Sequence, residues 1–286
     1  MEIMKSIGSI SLFFFGIMAY SQDMNDVIIK VTKLSETVYI FEGSGGNIGV
    51  SAGEDGVYLI DSQFGPLTEK ITAEINKISD KPIQFLVNTH HHGDHTGGNE
   101  NFNKLGTYII AHENVRKNLN GKTKETLPVI TFNDKLNLYL NGEEALVFHV
   151  DNAHTNGDAI LYFTDSNVLH TGDTYFNGRY PYIDLNNGGS VNGYIEAVKK
   201  SLILIDNNTK IIPGHGDISN KAEYQSFLKM MEGLKVAVLA EIENGKTEDE
   251  VANDANLTKT YDFLGYSWEF ITSEKIRRTF YKSLKE

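Results

Sequence analysis

The sequence predicts an α/β fold of two βα halves packed sheet against sheet, with the helices outside. Three observations carry that expectation. Short β-rich runs separated by glycine turns occur in the first third and again in the middle, and a stretch with helical spacing follows each set. Clusters of His and Asp fall where strands end. The C-terminal part is rich in helical pattern, which supplies an outer layer.

Taken in order, residues 28–62 follow a strand, turn, strand pattern, with strands at 38–41, 47–50 and 57–60. The turn Gly43-Ser44-Gly45-Gly46 separates the first two. Pro66 opens a helix on which Leu67, Ile71, Ile75 and Ile78 recur near every fourth residue. The apolar run 83–87 is a buried strand; a strand at 107–110 and a short helix near 114–119 follow. The polar segment 121–127 is expected as a surface loop bordering the site. Strands at 135–140 and 145–150 flank Asn141-Gly142, a hairpin signal, and those at 160–163 and 168–170 flank Asp165-Ser166-Asn167. A helix at 194–205, a strand at 210–212 and helices at 222–242, 248–255 and 274–284 complete the chain.

Composition narrows the function classes. There are 38 acidic against 26 basic side chains, a net charge of -12, which argues against nucleic acid as partner. A small-molecule substrate is expected instead. No cysteine is present, so disulfides and Cys-containing metal sites are excluded. Lys5, the short apolar stretch 7–19, and Ala19 and Ser21 before a cut ahead of Gln22 form a secretory signal pattern. Residues 1–21 are therefore expected to be removed, leaving 22–286 as a single periplasmic or secreted domain without a stable membrane anchor.

The chemistry is concentrated in Thr89-His90-His91-His92-Gly93-Asp94-His95, directly after a strand. In extended chain, residues two apart point the same way, so His90 and His92 can converge on one ion. Asp94 and His95, past Gly93, are free to turn toward a second. Imidazole nitrogen and carboxylate oxygen at this density are what zinc sites use. His154, Asp173 and His215 each follow a strand and are flanked by Gly or Asn, which let the backbone bend close to a ligand. His112 and His149 are expected to be ordinary polar surface residues.

The ordered pattern His-x-His-x-Asp-His, then His, Asp and Gly-His, resembles the metallo-β-lactamase superfamily over roughly residues 38–215. The resemblance implies a four-layer αββα sandwich. It implies one Zn2+ held by His90, His92 and His154 and a second held by Asp94, His95 and His215, with Asp173 bridging. His91 should point away, His170 should be structural, and Asp61 should orient the metal loop. The implied activity is hydrolysis, a hydroxide shared by the two zinc ions attacking the carbonyl of a small amide, ester, lactone or thioester, with Asp94 helping to orient it. In one branch of the family a cysteine holds the second metal and a lysine three residues later grips the substrate; here those places carry Asp173 and Phe176, which argues against β-lactams as main substrate. Asp173 is similar to the bridging carboxylate of glyoxalase II-type and lactonase-type relatives. Alternatives on the same fold are an iron-dependent oxidoreductase or dioxygenase and a dizinc phosphodiesterase. No G-x-S-x-G motif supports a covalent route.

The segment 178–184 is expected as a surface loop packed by its tyrosines, with a second reading in which Arg179 receives an anionic group near Asp173. Tyr266, Trp268 and Phe270 are expected in helix packing.

Overall fold

The computed structural model describes residues 24–285. The signal pattern at 1–21 lies outside the described residues. A seven-stranded sheet holds β1 (Lys30–Lys33), β2 (Val38–Glu42), β3 (Ile48–Gly53), β4 (Gly56–Ile60), β5 (Ile83–Asn88), β6 (Tyr108–His112) and β7 (Ile130–Phe132), in that spatial order. A six-stranded sheet holds β8 (Lys135–Leu140), β9 (Glu143–His149), β10 (Ala159–Phe163), β11 (Val168–His170), β12 (Lys210–Ile212) and β13 (Ser219–Asn220). The first half of each sheet is made of antiparallel hairpins. β4 to β7 and the pair β11–β12 run parallel.

Residue type explains these choices. β4 (GVYLI) is buried throughout, as a strand covered on both faces must be. β8 alternates exposed and half-buried positions, the pattern of an edge strand with one face in water. At the β8–β9 hairpin, Asn141 and Gly142 have φ of 61° and 67°, the left-handed pair that a tight two-residue turn requires.

Three apolar clusters define four layers. Val38, Ile40, Ile60, Val87, Val147, Leu161 and Ile212 meet between the sheets. Outside the first sheet, Leu59, Leu86 and Ile109 pack on Ile71 and Ile75 of α1 (Thr68–Ile75) and Phe102 of α3 (Asn99–Lys104). Outside the second sheet lie α5 (Val191–Leu204), α6 (Lys221–Glu243) and α9 (Ser273–Lys285), through Ile195, Phe227, Leu234 and Phe280. The remaining helices are α2 (Gly93–Thr96), α4 (Glu113–Asn118), α7 (Glu248–Asn253) and α8 (Lys259–Phe263). The αββα sandwich is therefore present. Among the described residues no helix is long and apolar enough to cross a membrane.

Two local expectations need correction. His112 is buried, and its ring stacks on that of His149 at 3.8 Å and 5°, so the pair packs between strand ends instead of lying on the surface. The segment 121–127 packs its short 3-10 turn (Lys124–Thr126) near α3 and does not line the cleft described below.

Candidate metal centre

The C-terminal ends of the central strands deliver the donors to one rim of the sandwich. After β5 the chain bends through residues 89–91; His92 is extended (φ -67°, ψ 153°) and precedes the single turn of α2, which carries Asp94 and His95. His154 sits in the β9–β10 loop. There the buried Asp158 carboxylate accepts hydrogen bonds from the amides of His154 (2.7 Å) and Thr155 (2.8 Å). Burial pushes Asp158 up to about 7. Asp173 lies in the 3-10 turn after β11, and the Tyr194 hydroxyl donates to its carbonyl at 2.6 Å. His215 follows β12, where Asn47 Nδ2 donates to the carbonyls of Pro213 and Gly216, both at 2.9 Å.

All seven donors converge. His90, His92, His154 and Asp173 form one group, and Asp94, His95 and His215 another. Asp173 Oδ2 lies 3.8 Å from His90 Nε2 and 3.6 Å from His154 Nε2. Its Oδ1 lies 3.1 Å from His95 Nε2 and 3.5 Å from His215 Nε2. Asp94 Oδ2 stands 3.3 Å from His215 Nε2 and 3.6 Å from His95 Nε2.

Each of four imidazoles has its other nitrogen committed to an acceptor. His95 Nδ1 donates to Asp61 Oδ2 (2.7 Å), His154 Nδ1 to the Tyr182 carbonyl (2.8 Å), and His92 Nε2 to Asp184 Oδ2 (3.0 Å). His90 Nδ1 faces Thr89 Oγ1 (3.1 Å), which itself donates to Asp61 Oδ2 (2.7 Å). With those protons so placed, the inward nitrogens of His90, His92 and His154 present lone pairs. His92 Nδ1 then faces His90 Nε2 at 3.1 Å and His154 Nε2 at 2.9 Å with no proton between them. In the other group, buried His95 Nε2 and Asp173 Oδ1 make no hydrogen bond. Converging lone pairs and orphaned buried polar atoms are unfavourable unless a cation sits among them, so the residues fit a metal.

The electrostatics agree. Burial holds His154 down at about 4 and His90 well below its usual range, the neutral form a metal requires. For His95, burial works downward, but Asp173, Asp94 and Asp61 overcome it and hold the ring well above its usual value. Asp173 would be raised by burial, yet the facing histidines, His95 first, keep it well below the carboxylate range. This pocket of the fold attracts positive charge.

The orienting role expected for Asp61 fits its contacts: fully buried, it accepts from Thr89 N (2.8 Å) as well as from Thr89 Oγ1 and His95. His170 is buried and braces the backbone, with Nε2 3.2 Å from the Asn47 carbonyl and Nδ1 accepting from Gly172 N. His91 turns to Asn118, 3.3 Å away.

The segment 178–184 is more than a surface loop. Tyr180 is buried as expected, but Arg179 and Tyr182 line a cleft of about 590 Å³ that also exposes His92, Asp94, Asp173 and His215. Trp268 and Phe270 line it too, so they are not confined to helix packing. Sequence reasoning missed Asp184 as the carboxylate holding His92. The only available signal was its place before the Asn186-Asn187-Gly188-Gly189 turn, where Asn187 N and Nδ2 both bond to it.

The chain matches the metallo-beta-lactamase superfamily over residues 42–240. It is 24% identical over 240 residues to the metallo-beta-lactamase type 2 of Elizabethkingia meningoseptica, covering 81% of this chain and 95% of that one. It is 31% identical over 165 residues to a hydroxyacylglutathione hydrolase of Nitrosococcus oceani, covering 57% of this chain and 59% of that relative. Among solved structures, the metallo-beta-lactamase from Pontibacter korlensis superposes with a TM-score of 0.63 at 19% identity, over 71% of this chain and 99% of that one. The last likeness speaks to the fold alone. Family match and donor cluster agree: this chain belongs to the metallo-beta-lactamase superfamily and is a metal-dependent hydrolase.

Proposed function

We propose that the protein is a dizinc hydrolase that cleaves a carbonyl-centred bond in a small ester, lactone, thioester or amide. One observation carries this reading: Asp173 presents one carboxylate oxygen to each donor group. His90, His92 and His154 would hold one zinc, Asp94, His95 and His215 the other, and Asp173 would join both. A zinc held there would supply a bound water with a pKa of about 7 and a Lewis acid for the carbonyl oxygen. Imidazole and carboxylate donors without thiolate suit Zn2+.

The chain's own residues do the positioning. Both carboxylates line the cleft, but Asp173 is 5% exposed and the Asp94 side chain 28%, so Asp94 is the more accessible one and can accept a hydrogen bond from the attacking water. Asp61, Thr89, Asp184 and the Tyr182 carbonyl keep the rings in register. Phe176 stacks on His215 at 5.0 Å and shields that side from bulk water. Of the relatives' substrates, the thioester named by the hydroxyacylglutathione hydrolase fits this donor set better than a β-lactam, since no cysteine is present and Phe176 stands where a lysine would be needed.

Elemental analysis of the purified protein, followed by parallel assays with nitrocefin, a homoserine lactone, a glutathione thioester and a phosphodiester, tests the proposal. The expected result is about two zinc per chain with turnover of the thioester or lactone. Iron in place of zinc, or zinc-loaded protein that leaves every carbonyl substrate intact, overturns it.

A further inference from the structure

Residues 241–286 lie beyond the family match, and they place two aromatic rings in the cleft. Those rings complete an arc. From His215 it runs to Phe176 (5.0 Å between centroids), Trp268 (6.1 Å), Phe270 (5.6 Å), Tyr182 (5.2 Å) and back to His92 (5.7 Å). The arc therefore starts on a ring of one donor group and ends on a ring of the other.

It is held firmly. Trp268 Nε1 donates to the Tyr180 carbonyl at 2.9 Å, and Tyr180 N donates to the Tyr266 carbonyl at 2.8 Å. The Tyr180 hydroxyl donates to Asp262 Oδ1 at 2.7 Å, and Ser273 Oγ donates to the same oxygen at 2.5 Å. The three contacts of Tyr180 tie the C-terminal segment to the loop whose Tyr182 carbonyl and Asp184 carboxylate orient His154 and His92, and Ser273 braces Asp262 from within that segment.

The rim is cationic, against the net charge of -12 on the chain. The Arg179 guanidinium stands 5.4 Å from the Trp268 ring, and Lys275 Nζ stands 4.0 Å from Phe270 and 5.7 Å from Tyr182. Arg179 is exposed, Lys275 Nζ donates to the Phe270 carbonyl at 2.9 Å, and among the described residues neither cation forms an ion pair. A planar guanidinium laid on an aromatic face keeps its edge free to grip a carboxylate.

We propose that this arc selects substrates pairing a flat apolar group, packed against Trp268 and Phe270, with a carboxylate received by Arg179 and assisted by Lys275. The inference rests on the dizinc hydrolase reading for what happens to the bound molecule, but the clamp is a binding property of the chain. An aryl-substituted acyl group bearing an anion would lie between the cationic rim and the metal donors.

Trp268 is the single tryptophan of the chain, so its emission reports binding directly. Full-length, metal-loaded protein is titrated with phenylacetate, acetate and benzyl alcohol, and calorimetry is run on the same series. Phenylacetate should shift Trp268 emission saturably and bind about tenfold more tightly than either partial mimic. Arg179→Gln should bring phenylacetate close to benzyl alcohol, whereas Phe270→Ala should weaken both aromatic probes; Phe270→Leu serves if the alanine variant does not fold. Acetate binding as well as phenylacetate, no saturable binding by either method, or affinities unmoved in both variants overturns the clamp. A chain holding two zinc ions and hydrolysing small esters without that preference loses only this inference, and a chain that binds aryl carboxylates but no metal loses only the hydrolase reading.

Discussion

At Asp61 the backbone, the charge and the metal loop meet. Its φ is 65°, in the left-handed region that Asp and Asn tolerate better than other residues with a side chain. Fully buried, its carboxylate is compensated by three hydrogen bonds, from Thr89 N, Thr89 Oγ1 and His95 Nδ1. Asp61→Asn keeps size and backbone conformation but removes the charge that fixes the His95 tautomer. Metal affinity should fall about 10–100-fold with the fold retained, measured by competition with a chromophoric chelator. Unaltered affinity would show that Asp61 only supports structure. Gly214 poses a steric question. A Cβ there would meet Asp173 Oδ1 at 2.1 Å and the Gly172 carbonyl carbon at 2.6 Å. Gly214→Ala must displace Asp173, so turnover should drop by about 100-fold, the scale of an ångström-level misplacement; elemental analysis should show metal loss in the same preparation.

Among the elements, the parallel strands matter most, because their C-terminal ends set the donor positions. β5 illustrates the dependence: Leu86 and Val87 are fully buried on opposite faces, one under α1 and the other between the sheets. Leu86→Ala should cost about 2–5 kcal/mol, read as a lowered urea midpoint, because the helix side cannot collapse into the vacated volume. A change below about 1 kcal/mol would mean that the layer repacks. Most strand positions were legible in the sequence because apolar, β-branched runs ending in glycine turns have few other solutions; the runs at 168–170 and 210–212 match β11 and β12 residue for residue. The short edge strands β1, β7 and β13 were missed, because two to four residues carry too little pattern. Helix ends moved more. The Tyr194 start expected for α5 shifts to Val191, since Ser190 Oγ caps the helix by accepting from Gly193 N. The four-residue α2 was invisible to periodicity, being barely one turn long.

For the whole molecule, buried neutral histidines tie stability to pH. His170 and His112 are both held at about 4, His170 by burial and His112 by burial and then its neighbour His149. In the unfolded chain each returns to about 6.5. Between about 4 and 6.5 the unfolded state therefore binds protons that the folded state does not, and stability falls as pH falls through that window. Asp158, held at about 7, takes up its proton in the folded state and opposes this, but His154 and His90, also lowered by burial, act with His170 and His112. Chelator-treated protein should lose urea resistance from pH 7 to 4.5, and a flat profile would contradict the buried-neutral assignment. Metal adds its own linkage. Relative to metal-loaded protein at neutral pH, the stripped protein should be less stable by up to about 4 kcal/mol where free metal had stood at 1,000 times its dissociation constant, read as a lower urea midpoint.

From the sequence alone came the α/β class and seven candidate donors, because each lies after a strand and metal chemistry restricts which side chains can serve. The four-layer sandwich and the division of the donors between two metals came from the family resemblance. Tertiary structure decided what surrounds them. Asp184 reaches His92 across 92 residues, and Trp268 fastens to Tyr180 across 88. No periodicity links such partners; packing two sheets and an outer helical layer brings them together, and only then do the orienting carboxylate and the aromatic wall exist.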